Sequence, residues 1–361
     1  MYIKIYTKAN QHIDTVYEIG KPQTTHTLNG VGKFTCTIPI NNIKVTENLV
    51  KFMNHVYFYD DNDNLKFGGV LVDRSFNMPD ITIGCYGWAF LFQKKRMTAK
   101  SYSNASYSSY MNTIFNEYML NYGSMTGFFK NGVTTATDTT RTTRIVTDTD
   151  FVWDKATEWN EDVNGMIGFT DDHIFTFGYD KYQRQMWYAK WEFDEASNIL
   201  ELPTSFNNLL TFPSVSQSAT EMANRMYGEV SGQNESGADV TLTALKLDNN
   251  SIAAYGVLDG VASINDSVVL QATVNDKTQA ELDRVGLPSS NMDISISDSI
   301  LAPLDEIKVG HKITVFIEPY LNFKAETTIL EISRNYEENV AKLTVGKTLY
   351  RQNVPKTVNY K

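Results

Sequence analysis

The sequence predicts an α+β fold that is mostly β, with two small β-barrel-like domains, an inserted α/β lobe and a second, smaller insertion. The chain has 361 residues, 42% of them hydrophobic, including 20 Tyr and 19 Phe. One hydrophobic core stops growing at roughly 250–300 residues, so two or more domains are expected. Short β-branched and aromatic runs alternate with turn formers, which favours strands over long helices.

The first domain, residues 1–98, is predicted to be a β meander that curls into a barrel. Its main strands are rich in β-branched and aromatic residues and lie at 33–38, 56–59, 65–73 and 81–88. The polar tip at 60–64 joins two of them, which predicts a hairpin. The spacing of Asp60, Asn62 and Asn64 resembles a calcium loop, but Leu65 stands where such a loop needs glycine. We therefore expect a plain turn.

The two cysteines, Cys36 and Cys85, both fall in predicted strands. Buried reduced thiols are expected, with a disulfide between neighbouring strands as the alternative. The sequence has no C-x-x-C motif, and its five histidines are scattered, so no zinc site is predicted.

Residues 99–204 are predicted to form the α+β lobe. Ser106 caps a predicted helix with an aromatic stripe that ends before Gly123, and a second helix runs from Asp150 to Gly165. Between them lies a Thr-rich stretch, 132–149, that is interpreted as a loop or an edge hairpin. A meander of three strands follows, at 166–169, 174–179 and 185–193.

The second barrel domain is predicted from residues 205–236 together with 290–361, and residues 237–289 form the smaller inserted domain. The insertion contains a helix that is expected to begin at Asp276, with Gln279 at the capping-box position, and to end at Gly286. The final strands are predicted at 313–317, 328–333 and 341–345. This last segment repeats the pattern of the first domain, a hairpin followed by a strand that ends in glycine.

The charge distribution argues against a general nucleic-acid binder, because the net charge is −10 and phosphate contacts need a basic patch. One short stretch is basic: Lys94, Lys95 and Arg96, with Lys100 close behind. It is interpreted either as a solvated boundary segment or as a surface that faces a partner or a channel.

The chain contains no run of about 18 apolar residues and no signal peptide, so synthesis in the cytoplasm without a membrane span is expected.

No catalytic, cofactor-binding or metal-binding residue is predicted. The sequence contains no nucleophile elbow, phosphate-binding loop, dinucleotide fingerprint or zinc-protease motif, so we expect a protein that is not an enzyme. Glycosidases need only two carboxylates and would escape this search. The alternative is therefore a carbohydrate-active protein, either a glycan-binding module or a cell-wall hydrolase. Its candidate residues are aromatic or acidic and comprise Trp187, Tyr188, Trp191, Glu158, Glu161 and Asp162. The structural alternative is core or interface packing for the aromatic residues and a solvated helix face for the acids.

The order of strands and turn glycines along nearly the whole chain resembles the baseplate-hub, or tail-associated, proteins of long-tailed bacteriophages and prophages. The matching pieces are individually weak but occur in the same order, and they lie at 34–39, 57–72, 81–87, 224–228, 251–256, 287–288, 303–313 and 343–346. His311 stands where relatives usually carry an acidic residue. The chain ends at Lys361, so we expect the short form without the C-terminal hydrolase.

The resemblance implies a structural protein of the virion tail tip. It implies a homotrimer in which two similar barrels per chain alternate around a ring, adapting the six-fold tail to a three-fold tip. The implied partners are the distal tail protein ring, the tape-measure protein and a receptor-binding protein or fibre, with transient contact with ejected DNA. Stable binding to nucleic acid or to a membrane is not implied.

Overall fold

A computed structural model of the chain describes most of both predicted barrel regions and separate parts of the segments between them. The described residues are 1–9, 11–27, 30–42, 45–105, 117, 128–130, 142–155, 173–176, 184–190, 200–203, 214–233, 238–264, 271–287, 289–298, 304–305, 307, 309, 312–317 and 323–346.

The first seven strands form one end of a long, mainly antiparallel sheet. They are β1 Tyr2–Tyr6, β2 His12–Val16, β3 Gly20–Thr27, β4 Lys33–Pro39, β5 His55–Tyr59, β6 Leu65–Asn77 and β7 Asp80–Gly87. Their order across the sheet is β3-β4-β7-β6-β5-β1-β2. The predicted hairpin is confirmed, since β5 pairs with β6 around the turn at 60–64.

Alternation of buried and exposed positions explains why these segments form strands around one core. Phe34, Cys36 and Ile38 of β4 are buried and meet the buried side chains of β7 from the adjacent strand. Phe34 stacks on Phe58 with ring centroids 4.7 Å apart. Gly69 is required where β6 passes β7, because a Cβ there would lie 2.1 Å from the carbonyl oxygen of Tyr86.

The last part of the chain adds the other end of the same sheet. Its strands in the described residues are β13 Leu200–Pro203, β14 Ser214–Ser218, β18 Ser289–Ser297, β19 Lys312–Ile317, β20 Phe323–Asn335 and β21 Val340–Gly346. A second core lies here, and its central residues Ile294, Ile329 and Leu343 have no exposed surface. Strand β13 joins through a parallel pairing with β19.

The two ends of the sheet share the same strand order. The first half runs β3-β4-β7-β6-β5, and the second half runs β14-β18-β21-β20-β19. Every neighbouring pair in both series is antiparallel. The repeat that the sequence pattern indicated is therefore present in the topology.

A separate three-stranded sheet comprises β15 Arg225–Gln233, β16 Asp239–Leu247 and β17 Asp259–Ser263. This small sheet begins at Arg225, upstream of residue 237, where the insertion was expected to start. Helix α2, Asn249–Tyr255, is capped by the Asp248 side chain, which accepts hydrogen bonds from the backbone N–H groups of Asn250 and Ser251.

The long helix of this unit, α3 Gln271–Val285, corrects the predicted start at Asp276. Val274 lies before that point and is buried with Leu282 and Val285 against the small sheet, so apolar contact extends the helix towards its N-terminus. Gln279 is not at a capping box either, because its Nε2 donates to Asp283 Oδ1 one turn ahead. The predicted end at Gly286 agrees with the observed helix.

Short helix α1, Ala89–Gln93, leads from the first half into the lobe. The described lobe strands are β8 Lys100–Ala105, β9 Phe128–Lys130, β10 Thr142–Val146, β11 His173–Thr176 and β12 Arg184–Lys190. Strand β10 comes from the Thr-rich stretch that was interpreted as a loop or an edge hairpin, and it pairs with β8.

One strand pair of the predicted three-stranded meander of the lobe is described. Strand β12 pairs with β11 as predicted, and its other neighbour is β9, which lies far upstream and runs parallel to it. The predicted strand at 166–169 and the helix from Ser106, apart from residue 117, lie outside the described residues. Of the predicted helix from Asp150, a helical turn at 152–155 is described. None of the helices described here is long and apolar enough to cross a membrane.

Candidate interaction surfaces

The two halves of the long sheet meet where β20 pairs with β3. The last five residues of β20, Glu331–Asn335, pair with Gln23–Thr27 of β3 in an antiparallel register. We call this pairing the filled junction. Side-chain hydrogen bonds reinforce it: Thr25 Oγ1 lies 3.2 Å from Ser333 Oγ, and Thr27 Oγ1 donates to Glu331 Oε2 at 3.0 Å. The sheet is therefore continuous from the first core to the second.

Aromatic packing closes the filled junction on one side. The Tyr336 ring meets Phe58 of the first core edge-on, with centroids 4.9 Å apart, and its hydroxyl lies 3.3 Å from Thr24 Oγ1. His26 lies on the same stretch of β3, opposite Ile332. Burial, with the nearby Arg334 charge as a smaller cause, lowers the pKa of His26 from 6.5 to about 4. The imidazole is therefore neutral at pH 7.

An ion network ties the β5–β6 hairpin tip to the second half. Lys66 Nζ lies 3.0 Å from Asp60 Oδ2 and 2.7 Å from Asp305 Oδ1, and Arg334 Nη1 reaches the same Asp305 oxygen at 2.7 Å. Burial opposes the charges on Lys66 and Asp305, but their mutual hydrogen bonds outweigh it. The pKa of Lys66 is consequently raised, and the pKa of Asp305 is lowered.

A cluster of exposed apolar side chains lies at the far end of β6. We call Phe52, Met53, Phe76 and Met78 the apolar patch; Phe76 is 61% exposed and Met78 is 83% exposed. The Arg74 guanidinium sits among them, 4.7 Å from the Phe52 ring centroid and 5.8 Å from that of Phe76. Aromatic, Met and Arg side chains are enriched in protein–protein interfaces, so this patch has the composition of a protein contact.

A second exposed apolar surface lies on the outer face of the small sheet. Tyr227 of β15 stands between Leu245 of β16 and Val261 of β17, and all three are at least 42% exposed. Helix α3 covers the opposite face. An exposed Arg225–Asp259 ion pair flanks the surface.

The basic segment is placed between the first half and the lobe. The Lys94 ammonium lies 5.5 Å from the Phe90 ring centroid, and Arg96 lies 5.8 Å from that of Phe151. Lys95 accepts a backbone hydrogen bond from Val152 at 2.9 Å. Lys100 pairs with Glu117. The Arg96–Phe151 contact and the Lys95 carbonyl therefore join this segment to residues 151–152, while Lys94 and Arg96 remain exposed to solvent.

The hairpin tip that resembles a calcium loop uses its acidic residue internally. Asp60 Oδ1 accepts from the backbone N–H groups of Asn62 at 2.9 Å and Asn64 at 2.8 Å, while Oδ2 faces Lys66. This is the plain turn that the sequence predicts. The described part of the chain holds no cluster of His, Cys, Asp and Glu that could bind a metal ion.

Both cysteines are buried and free. They lie on adjacent strands, with Phe34 opposite Cys85 and Cys36 opposite Ile83, so the alternative disulfide is not formed. Burial raises the pKa of both thiols above the usual range, which makes them poor nucleophiles.

The residues of the carbohydrate hypothesis are only partly described. Trp187 and Tyr188 lie on β12, opposite Thr176 and Phe175 of β11. Glu158, Glu161, Asp162 and Trp191 lie outside the described residues. The carbohydrate hypothesis therefore stays a prediction.

Solved structures with the same fold cover almost the whole chain. The 43 kDa tail protein of prophage MuSo2 from Shewanella oneidensis matches with a TM-score of 0.65 at 10% identity, over 96% of this chain and 98% of that one. The fold is that of a phage tail protein. A tail protein from Neisseria meningitidis MC58 matches with a TM-score of 0.61 at 7% identity, over 96% of each chain. Prophage tail protein gp18 from Listeria monocytogenes EGD-e matches with a TM-score of 0.58 at 10% identity, over 96% of this chain and 95% of that one.

The phage tail fold confirms the fold that the sequence resemblance implied. No protein-family model and no curated protein matches the sequence. The apolar patch was not predicted, because the residues Met78-Pro79-Asp80 indicate only a turn. The missed signal was Phe76 and Met78, two large apolar residues placed at a hairpin tip.

Proposed function

We propose that the chain is a structural baseplate-hub protein of a phage tail tip and that it forms a trimeric ring without catalysis. The observation that carries the proposal is the repeated five-strand order on a fold shared with two prophage tail proteins and a third tail protein. A chain with two similar halves presents six similar units when three copies close into a ring. Such a ring would match a six-fold tail tube on one side and a three-fold tip on the other.

The surfaces of the chain suit a role in assembly. Two exposed apolar surfaces, the apolar patch and the outer face of the small sheet, lie on different sheets of one chain. Two unlike surfaces on one molecule allow head-to-tail contacts, which form a ring where the rotation between copies closes. The expected partners are the distal tail protein ring, the tape-measure protein and a receptor-binding protein or fibre.

The ring would line or close the tail channel until DNA ejection. Lys94 and Arg96 are exposed cations of the basic segment, and the net charge of the whole chain is −10. A cationic site in an acidic protein is a suitable place for a transient contact with passing DNA, while stable nucleic-acid binding would need a larger basic surface.

Mass determination tests this function. Native mass spectrometry and sedimentation of the full chain, alone and with a purified distal tail protein, are expected to give a trimer. Electron microscopy of tails is expected to place the protein at the distal end of the tube. A chain that remains monomeric in both preparations, or particles that carry it elsewhere, would contradict the proposal.

A further inference from the structure

The strand pairings align the two halves residue by residue. Strands β6 Leu65–Asn77 and β20 Phe323–Asn335 each have 13 residues. In β6 the register against β7 shifts between Leu71 and Asp73, and in β20 the register against β21 shifts between Ile329 and Glu331. The bulged residues, Val72 and Leu330, therefore occupy the same position in the two strands.

Following the pairings outward from the bulge gives the equivalent of β3. In the first half, Asp73 pairs with Gly84, Gly84 with Thr35, and Thr35 with Gln23. In the second half, Glu331 pairs with Thr344, Thr344 with Asp293, and Asp293 with Ser214. Gln23 thus corresponds to Ser214. The five residues of β14, Ser214–Ser218, correspond to Gln23–Thr27, the segment of β3 that pairs with β20 in the filled junction.

The equivalent junction is not made within the chain. After its bulge, β20 pairs with β21 on one side and with β3 on the other. After its bulge, β6 pairs with β7, and no other strand of the described chain pairs with Asp73–Asn77. We call Asp73–Asn77 the open edge. Its counterpart β14 has one strand neighbour among the described residues, β18.

We propose that β14 of one copy pairs with the open edge of the next copy, in the register of the filled junction. This inference rests on the proposed trimeric ring and names its contact. The alignment places Asn77 opposite Ser214, Ser75 opposite Ser216 and Asp73 opposite Ser218. The contact joins two different surfaces, so it is heterologous and can close only as a ring.

The apolar patch supports the contact at this place. Phe76 belongs to the open edge and is 61% exposed, whereas its equivalent in the filled junction, Arg334, has a side chain that is only 13% exposed. Met78 follows directly at the hairpin tip. An open strand edge with exposed aromatic and Met side chains is a liability for a free protein and a normal feature of a surface that is covered in an assembly.

Cysteine cross-linking tests the register. In an antiparallel sheet, directly opposite residues have Cα atoms about 4.5–5.5 Å apart, within the range of a disulfide. The double variant Ser75→Cys/Ser216→Cys, mildly oxidised, is expected to give covalent dimers and closed trimers on a non-reducing gel. The native cysteines are buried and do not compete.

Three control variants make the result specific. Thr25→Cys/Ser333→Cys reproduces the same geometry inside one chain, where Thr25 Oγ1 and Ser333 Oγ are 3.2 Å apart, so it should form a disulfide without adding mass. Ser75→Cys/Val215→Cys is one residue out of register and should cross-link at least tenfold more slowly. Ser75→Cys alone should give no closed trimer.

The outcomes separate this contact from the proposed function. Closed trimers from the in-register pair alone support the contact. A trimer by native mass that gives no cross-link, while the intrachain control does, overturns the contact and leaves the ring intact. A chain that is monomeric at every concentration, and with the distal tail protein, overturns both.

Discussion

The filled junction and the open edge are the same structural element in two environments. In the filled junction, β20 pairs with β3, Tyr336 packs on Phe58, and Asp305 bridges Lys66 and Arg334. At the open edge, the equivalent strand segment ends among exposed Phe76, Met78 and Phe52. A single chain therefore forms one of the two junctions by itself, while the equivalent strand edge lies on the surface with exposed aromatic and Met side chains.

Replacing one phenylalanine by alanine in the filled junction, and one at the open edge, is expected to give the largest difference in the free energy of unfolding. Phe58 is fully buried and contacts both Phe34 and Tyr336, so Phe58→Ala should lower the free energy of unfolding by about 3–5 kcal/mol. The matched variant Phe76→Ala removes an exposed ring and should change it by about 0.5 kcal/mol or less. Urea denaturation followed by circular dichroism measures both; equal losses would contradict the comparison.

Protonation of His26 should weaken only the filled junction. Its folded pKa of about 4 lies below the unfolded value of about 6.5, so the unfolded chain binds the extra proton first as pH falls. Stability is therefore expected to decrease between pH 6.5 and about 4, by about 1–3 kcal/mol. His26→Gln should flatten this part of the profile. An unchanged slope in the variant would show that other groups cause it.

A charge on the apolar patch should weaken assembly without weakening the fold. Phe76→Glu is expected to raise the concentration needed for trimer formation by about tenfold or more, as for a hot-spot residue. Val257→Glu is the matched control, because Val257 is 51% exposed and belongs to neither of the two apolar surfaces. Sedimentation across a range of concentrations measures both. Equal effects of the two variants would mean that the patch has no special role.

Removing the shared carboxylate of the ion network should have the smallest effect. Asp305→Asn leaves Lys66 and Arg334 with a weaker acceptor, and the exposure of Asp305 limits the expected loss to about 1 kcal/mol or less. The lowered pKa of Asp305 means that its contribution is present above about pH 4 and is lost as pH falls through the folded value. Asp239→Asn, in the small sheet, is the control in thermal unfolding at pH 7 and pH 3.

Local sequence patterns predicted the positions of the strands better than which strands pair with each other. The hairpin at 56–73 and the buried cysteines followed from alternation and turn residues that lie close together in the sequence. The pairing of β3 with β20 joins residues about 300 positions apart, and the parallel pairing of β9 with β12 also bridges a long segment. No local period encodes such partners, and this is why the filled junction and the open edge became visible only in the structure.

The early start of α3 has a different explanation. Asp276 has the properties of a helix cap, but Val274 is buried two residues earlier, and tertiary packing outweighs a capping preference of about 1 kcal/mol. The apolar patch was missed for a related reason. Met78-Pro79 has the chemistry of a turn and lies in one, but the feature that indicates binding is the size of the apolar side chains around it.

The repeated strand order also has an evolutionary consequence. The first two strands of the repeat are joined by residues 28–32 in one half, whereas in the other the connection from β14 to β18 spans 219–288 and contains the whole small sheet. Two copies of a unit fused in one polypeptide can diverge, because an insertion tolerated in one copy leaves the other unchanged. In the proposed ring of six similar halves, a domain inserted in one copy of the repeat would occur in every second half, while the five-strand order of all six halves stays the same.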